Sequence, residues 1–139
     1  MKMERKGFTL IELLAVIVIL AIIALIAVPV IMNIIANARK SAAADSAYSI
    51  INAGKLYYAN ELLVHPAESF ETTVFSWETL DPIEKDGNTL EIKGTKPEGG
   101  KITINEDGRV LITEALIIKG FSCNYKTGSD TEIECDEMS

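Results

Sequence analysis

Few side chains in this sequence can do chemistry, and one of them stands in an unfavourable place. Glu12 lies at the edge of an uncharged apolar run of twenty residues, Leu13 to Met32, in which Pro29 is the one helix breaker. A carboxylate in mid-bilayer costs roughly 2.5–3.5 kcal/mol on insertion scales, and less near the interface. Glu12 has a local use. Thr9-Leu10-Ile11-Glu12 has the S/T-x-x-E spacing of a capping box, in which each of the two side chains accepts from the amide of the other residue. An acid in the first turn also suits the helix dipole.

The remaining candidates are few. His65 is the only histidine, which excludes a conventional catalytic triad and a histidine-based metal site; it fits the end of a helix instead. Two cysteines, Cys123 and Cys135, are too few for zinc and are read as a disulfide if they meet an oxidising compartment. The short loop between them suggests about 3 kcal/mol of stabilisation by chain entropy. Asp130, Glu132, Glu134, Asp136 and Glu137 surround Cys135. They offer calcium its oxygen ligands, but a solvated strand and terminus explain them more cheaply. Trp77, Tyr57, Tyr58 and Phe121 can make a sugar- or DNA-binding surface, or simply a core. No catalytic residue, metal or cofactor is expected.

These groups must be positioned by the elements around them. Twenty helical residues span about 30 Å, the thickness of a bilayer core. Lys2, Arg5 and Lys6 against Glu4 precede the run, so the N-terminus is expected to stay cytoplasmic and the rest to be translocated. Residues 1–7 hold three basic side chains and one acidic. The remainder therefore carries 10 Lys+Arg against 19 Asp+Glu, a net charge of −9. That balance disfavours direct nucleic-acid binding. Ala36-Asn37-Ala38 leaves open an ordinary secretory signal cut by signal peptidase, although the apolar run is long for one.

The helical pattern continues beyond the run. Ala44, Ala47, Ile51, Gly54, Tyr58 and Leu62 recur at steps of three or four, with Asp45, Ser46, Ser49 and Asn60 off the stripe. Pro66 stops it. The helix is predicted from about Phe8 to Val64, about 85 Å if continuous. Pro29 removes one hydrogen bond and clashes with the carbonyl of Leu25, which predicts a kink or local melting. Gly54 marks a mild weakness or a close approach.

Residues 66–86 read as a connection with a short helix near "SWETLDPIEK". Strands are expected at "NTLEIKG", in a hairpin "KITIN-EDG-RVLIT", at "ALIIKGFSCNYK" with a break at Gly120, and at "TEIEC". The fold class is α+β: a long N-terminal helix against a small antiparallel sheet. The expected organisation is a basic leader at 1–7, an apolar membrane or filament-core helix at 8–32, an amphipathic spine at 33–65 and a β-rich head at 66–139.

Lys6-Gly7-Phe8-Thr9-Leu10-Ile11-Glu12 resembles the processing site of type IV prepilins. The short basic leader, the Gly-Phe junction, the carboxylate five residues after it, and Pro29 all match that family. "ITINEDGRVLITEALIIKGFSC" is similar, more weakly, to heads of Gram-positive type IV pilins. One departure is that no glycine lies between Phe8 and Met32.

The resemblance implies cleavage between Gly7 and Phe8 by a prepilin peptidase and N-methylation of Phe8. It implies pairing of Glu12 with the Phe8 amine of a neighbouring subunit, and homopolymerisation from the cytoplasmic membrane into a surface filament. A membrane assembly platform and a separate ATPase would drive this, since the chain has no nucleotide-binding motif. Adhesion, twitching motility and DNA uptake are the roles of such filaments. A pseudopilin of a type II secretion or competence system is an alternative, and a monomeric anchored adhesin or binding module is another.

Overall fold

The computed structural model describes residue 7 and residues 9–66, 68–78 and 82–138. The basic leader at 1–6, Phe8, and the middle of the expected short helix at 79–81 lie outside the described residues. The chain divides into two compact units, Met1–Ala38 and Arg39–Ser139.

A single helix, α1 (Leu10–Val64, 55 residues), begins in the first unit and ends in the second. Its assignment runs through Pro29 without interruption. One lost hydrogen bond does not end a helix whose other turns remain bonded. In the first unit the helix stands alone, and its apolar side chains are exposed all round.

The second unit contains the core. Along α1, Ala43, Ala47, Ile50, Ile51, Ala53 and Gly54 are buried. The observed face therefore starts at Ala43, one residue before the expected Ala44, and takes in Ile50 and Ala53. It ends with the half-buried Tyr57 and Tyr58, because Leu62 is exposed together with Leu63 and Val64. Gly54 is a close approach: a Cβ there would stand 3.1 Å from the Val110 methyls.

Six strands form one sheet in the order β2-β1-β3-β4-β5-β6, in which only β1 and β2 run parallel. They are β1 (Thr73–Ser76), β2 (Lys85–Asp86), β3 (Gly99–Ile104), β4 (Val110–Ile118), β5 (Phe121–Tyr125) and β6 (Ile133–Glu137). Phe75, Ile102, Ile104, Leu116 and Ile118 alternate inward and are fully buried with Ile50.

The expected β3–β4 hairpin forms around Asn105–Arg109, closed by Asn105 N donating to Arg109 O at 2.8 Å. Gly108 adopts φ +84° there. The expected break in the next segment is a two-residue turn in which Lys119 (φ 47°) and Gly120 (φ 82°) both take the left-handed form, as tight hairpins require. β6 begins at Ile133, two residues into "TEIEC", and runs past it to Glu137.

Two expectations fail. "NTLEIKG" is not a strand. Asp86 Oδ1 accepts from Asn88 N at 2.9 Å and caps a 3₁₀ turn at Gly87–Thr89. Leu90 and Ile92 then pack on the core from a loop, which produces the alternation without a ladder. Conversely, β1 and β2 occupy the segment read as a connection. No helix occurs among the described residues of 76–85.

Candidate functional site

The candidate site is the start of α1. Gly7 has nothing within 4 Å of the position a Cβ would take, so the backbone there is open. Thr9 and Glu12 form a reciprocal box. Thr9 N donates to Glu12 Oε2 at 3.2 Å, and Glu12 N donates to Thr9 Oγ1 at 3.2 Å. Leu13 N donates to Thr9 O at 3.1 Å and closes the first turn. The box thus satisfies two of the free amides at the helix start, those of Thr9 and Glu12, and the acid faces the positive end of the dipole.

Around this box the surface is apolar. Leu10 is 86% exposed and Ile11 78%, and the most apolar 18-residue window of the helix has none of its surface covered by the rest of the chain. By length and composition α1 is able to cross a membrane. A helix that is apolar on every side has no stable place in water. The site is thus one carboxylate at the head of a surface that other molecules must cover. Phe8, the expected partner of that carboxylate, lies outside the described residues.

The other candidates are dispersed. Cys123 and Cys135 sit opposite each other on β5 and β6 and form a disulfide, both fully buried. His65 follows the helix, its N–H donating to Glu61 O at 2.8 Å. In the acidic segment, Asp136 meets Lys40 at 3.8 Å and Glu132 meets Lys126 at 3.9 Å. Among the described residues no group of three or more His, Cys, Asp or Glu side chains is placed to hold a metal ion. Trp77 and Phe121 are buried. Tyr57 packs edge-on against Phe75 with ring centroids 5.0 Å apart, and Tyr58 against Phe70 at 4.8 Å. The aromatics are core.

Some structural roles were not read from the sequence. Tyr48 Oη accepts from Ile133 N at 2.8 Å and ties β6 to α1. Tyr125 Oη donates to Val110 O at 2.7 Å. Lys101 bridges Glu84 at 2.9 Å and Glu114 at 3.4 Å; the Glu84 hydrogen bond leads in holding its pKa above the usual lysine value. Each joins segments far apart in the chain, so no local spacing signals it.

Residues 2–28 match the family described as the prokaryotic N-terminal methylation motif. This prepilin-type leader is consistent with a type IV pilin or prepilin-like protein, as is the α+β fold. No match was found among curated proteins or among solved structures.

Proposed function

Because the chain carries the prepilin-type methylation motif that marks type IV pilin-like and pseudopilin proteins, we propose that it is a structural subunit of a type IV pilus. The chain is inserted as a single-pass precursor, cut between Gly7 and Phe8, methylated on Phe8 and drawn into a surface filament by a separate ATPase and assembly platform. The observation that carries this reading is the exposed apolar half of α1 with Glu12 at its start.

Cleavage creates a positive amine at Phe8. When apolar helices pack together, water leaves and an unpaired Glu12 becomes costly; the Phe8 amine of a neighbour offsets it. The pair also fixes axial register, which aliphatic side chains alone leave free to slide. In the single chain Glu12 is held by its own helix through the Thr9 box, a resting state from which it swings to the neighbour. Pro29 is the place where a packed helix melts most cheaply, since one hydrogen bond is already missing. A pseudopilin would share all of these N-terminal features, and filament length separates it from a pilin.

Three variants test the role of the charge. Glu12→Ala and Glu12→Leu should insert into the membrane normally and yield no filaments. Glu12→Gln keeps the capping geometry, since glutamine closes the same box, but cannot form an ion pair. It too should block assembly. Normal filament yield from Glu12→Gln would reduce Glu12 to a helix start and sink the ion-pair mechanism.

A further inference from the structure

Between Glu12 and Ala38 the helix carries two polar side chains, Asn33 and Asn37, and every other residue of that stretch is apolar. Both asparagines are exposed. Neither side-chain amide has a hydrogen-bond partner among the described residues. Ile31, Ile34 and Ile35 beside them are exposed as well. In the inserted precursor both amides stand past Met32, at the end of the apolar run, where interfacial water serves them. Between packed helices that water is gone, and an amide left without a partner is costly.

Their positions name the partner. Asn33 and Asn37 stand 21 and 25 residues beyond Glu12, about six and seven helical turns. The three side chains therefore share one side of α1, within roughly 60°. They do so because the helix runs unbroken through Pro29. If Glu12 meets the Phe8 amine of a parallel neighbour, four residues earlier in the chain, the two helices are shifted by about 6 Å. Identical chains keep one shift along their whole length. Asn37 and Asn33 are also four residues apart. The shift that brings Glu12 to the Phe8 amine of a neighbour thus brings Asn37 level with the Asn33 of that neighbour. An asparagine amide is both donor and acceptor, so the two can bond reciprocally.

We propose that Asn37 of one subunit hydrogen-bonds Asn33 of the next, a second polar contact between copies of this chain on the seam that Glu12 begins. The inference rests on the filament reading. One polar pair in an aliphatic seam selects register but leaves the helices free to pivot about it. A second pair, about 37 Å further along, fixes their crossing angle too.

The test places one cysteine on each of two chains and builds filaments from the mixture. Asn33→Cys mixed with Asn37→Cys should give covalent dimers on mild oxidation, resolved on a non-reducing gel, with the linked peptides identified by mass spectrometry. Filaments of either variant alone should give none. A mixture of Ile31→Cys and Ile35→Cys, the same spacing on the opposite side of the helix, should also give none. Asn33→Leu combined with Asn37→Leu should insert normally, leave the thermal unfolding of the head unchanged and lower filament yield by about three- to tenfold. Filaments that form from the mixed asparagine variants without linking would overturn the proposal and leave the pilus reading standing. So would equal linking in the single-variant filaments or in the Ile31 and Ile35 mixture, or undiminished yield from the double leucine variant. Absence of filaments from the unmodified chain would overturn the pilus reading, and this contact with it.

Discussion

Residues 10–38 and 39–64 belong to one α-helix, yet they meet their hydrophobic needs by opposite means. In the second stretch Ala47 and Ile50 are 0% exposed under the sheet. In the first, Leu25 is 78% exposed and Ile26 67%. Covering each such side chain is worth roughly 1.5–3 kcal/mol, so the first stretch leaves a large favourable term unused by its own fold. Only lipid or other helices can supply it. The charged residues follow the same division, since Glu12 is the one charge between Thr9 and Ala38 and the head carries most of the rest. The head is stabilised within the molecule, and the apolar helix between molecules.

The sharpest way to break this contrast is a matched pair of substitutions. Ile50→Ala should lower the stability of the head by about 2–5 kcal/mol. Ile26→Ala should leave it unchanged within error and act only on membrane or filament packing. Thermal unfolding of the full chain in detergent, followed by tryptophan fluorescence from Trp77, measures both. Equal losses from the two would mean that the halves do not differ as described.

The next effect is smaller and confined to the head. Cys123→Ser with Cys135→Ser opens a loop of 12 residues in sequence separation, a loss of about 3 kcal/mol. The helix signal from the apolar half should persist. Denaturant titration with and without a strong reductant reads the same difference in the unmodified chain.

Much of this division was legible beforehand, and the misses have physical causes. Glu12 with Thr9, the hairpin around Gly108, the turn at Gly120 and the cysteine pair depend on local spacing, which a sequence displays directly. β1 was hidden because Thr73–Ser76 is only four residues and gains its strand identity from pairing with β3, remote in the chain. "NTLEIKG" misled because a loop laid over a core alternates as a strand does. The extra helix residues Ile50 and Ala53 are buried because a sheet covers a wider face than a single stripe. The lock of Tyr48 on β6 joins residues 85 apart, beyond the reach of any window.

The smallest expected effect tests the head's polar ties. Burial, with help from Asp130 and Tyr48, raises the Tyr125 hydroxyl above its ordinary 10.0. The folded state therefore favours the neutral form. Its contribution is complete below the unfolded value and is lost as pH rises through the folded one. Tyr125→Phe should cost about 0.5–1.5 kcal/mol at neutral pH, the worth of one hydrogen bond. It should also flatten the alkaline fall in stability above pH 10, seen by comparing denaturation midpoints of both chains across that range.

The central claim is that the exposed half of α1 is completed by copies of itself once the leader is removed. Shearing filaments from cells, imaging them and sequencing their N-terminus by mass spectrometry tests it most directly. The account predicts long filaments made mostly of this chain, each subunit beginning at a methylated Phe8. Intact Met1 termini, a cut after Ala38, or a chain found only as a membrane monomer would contradict it.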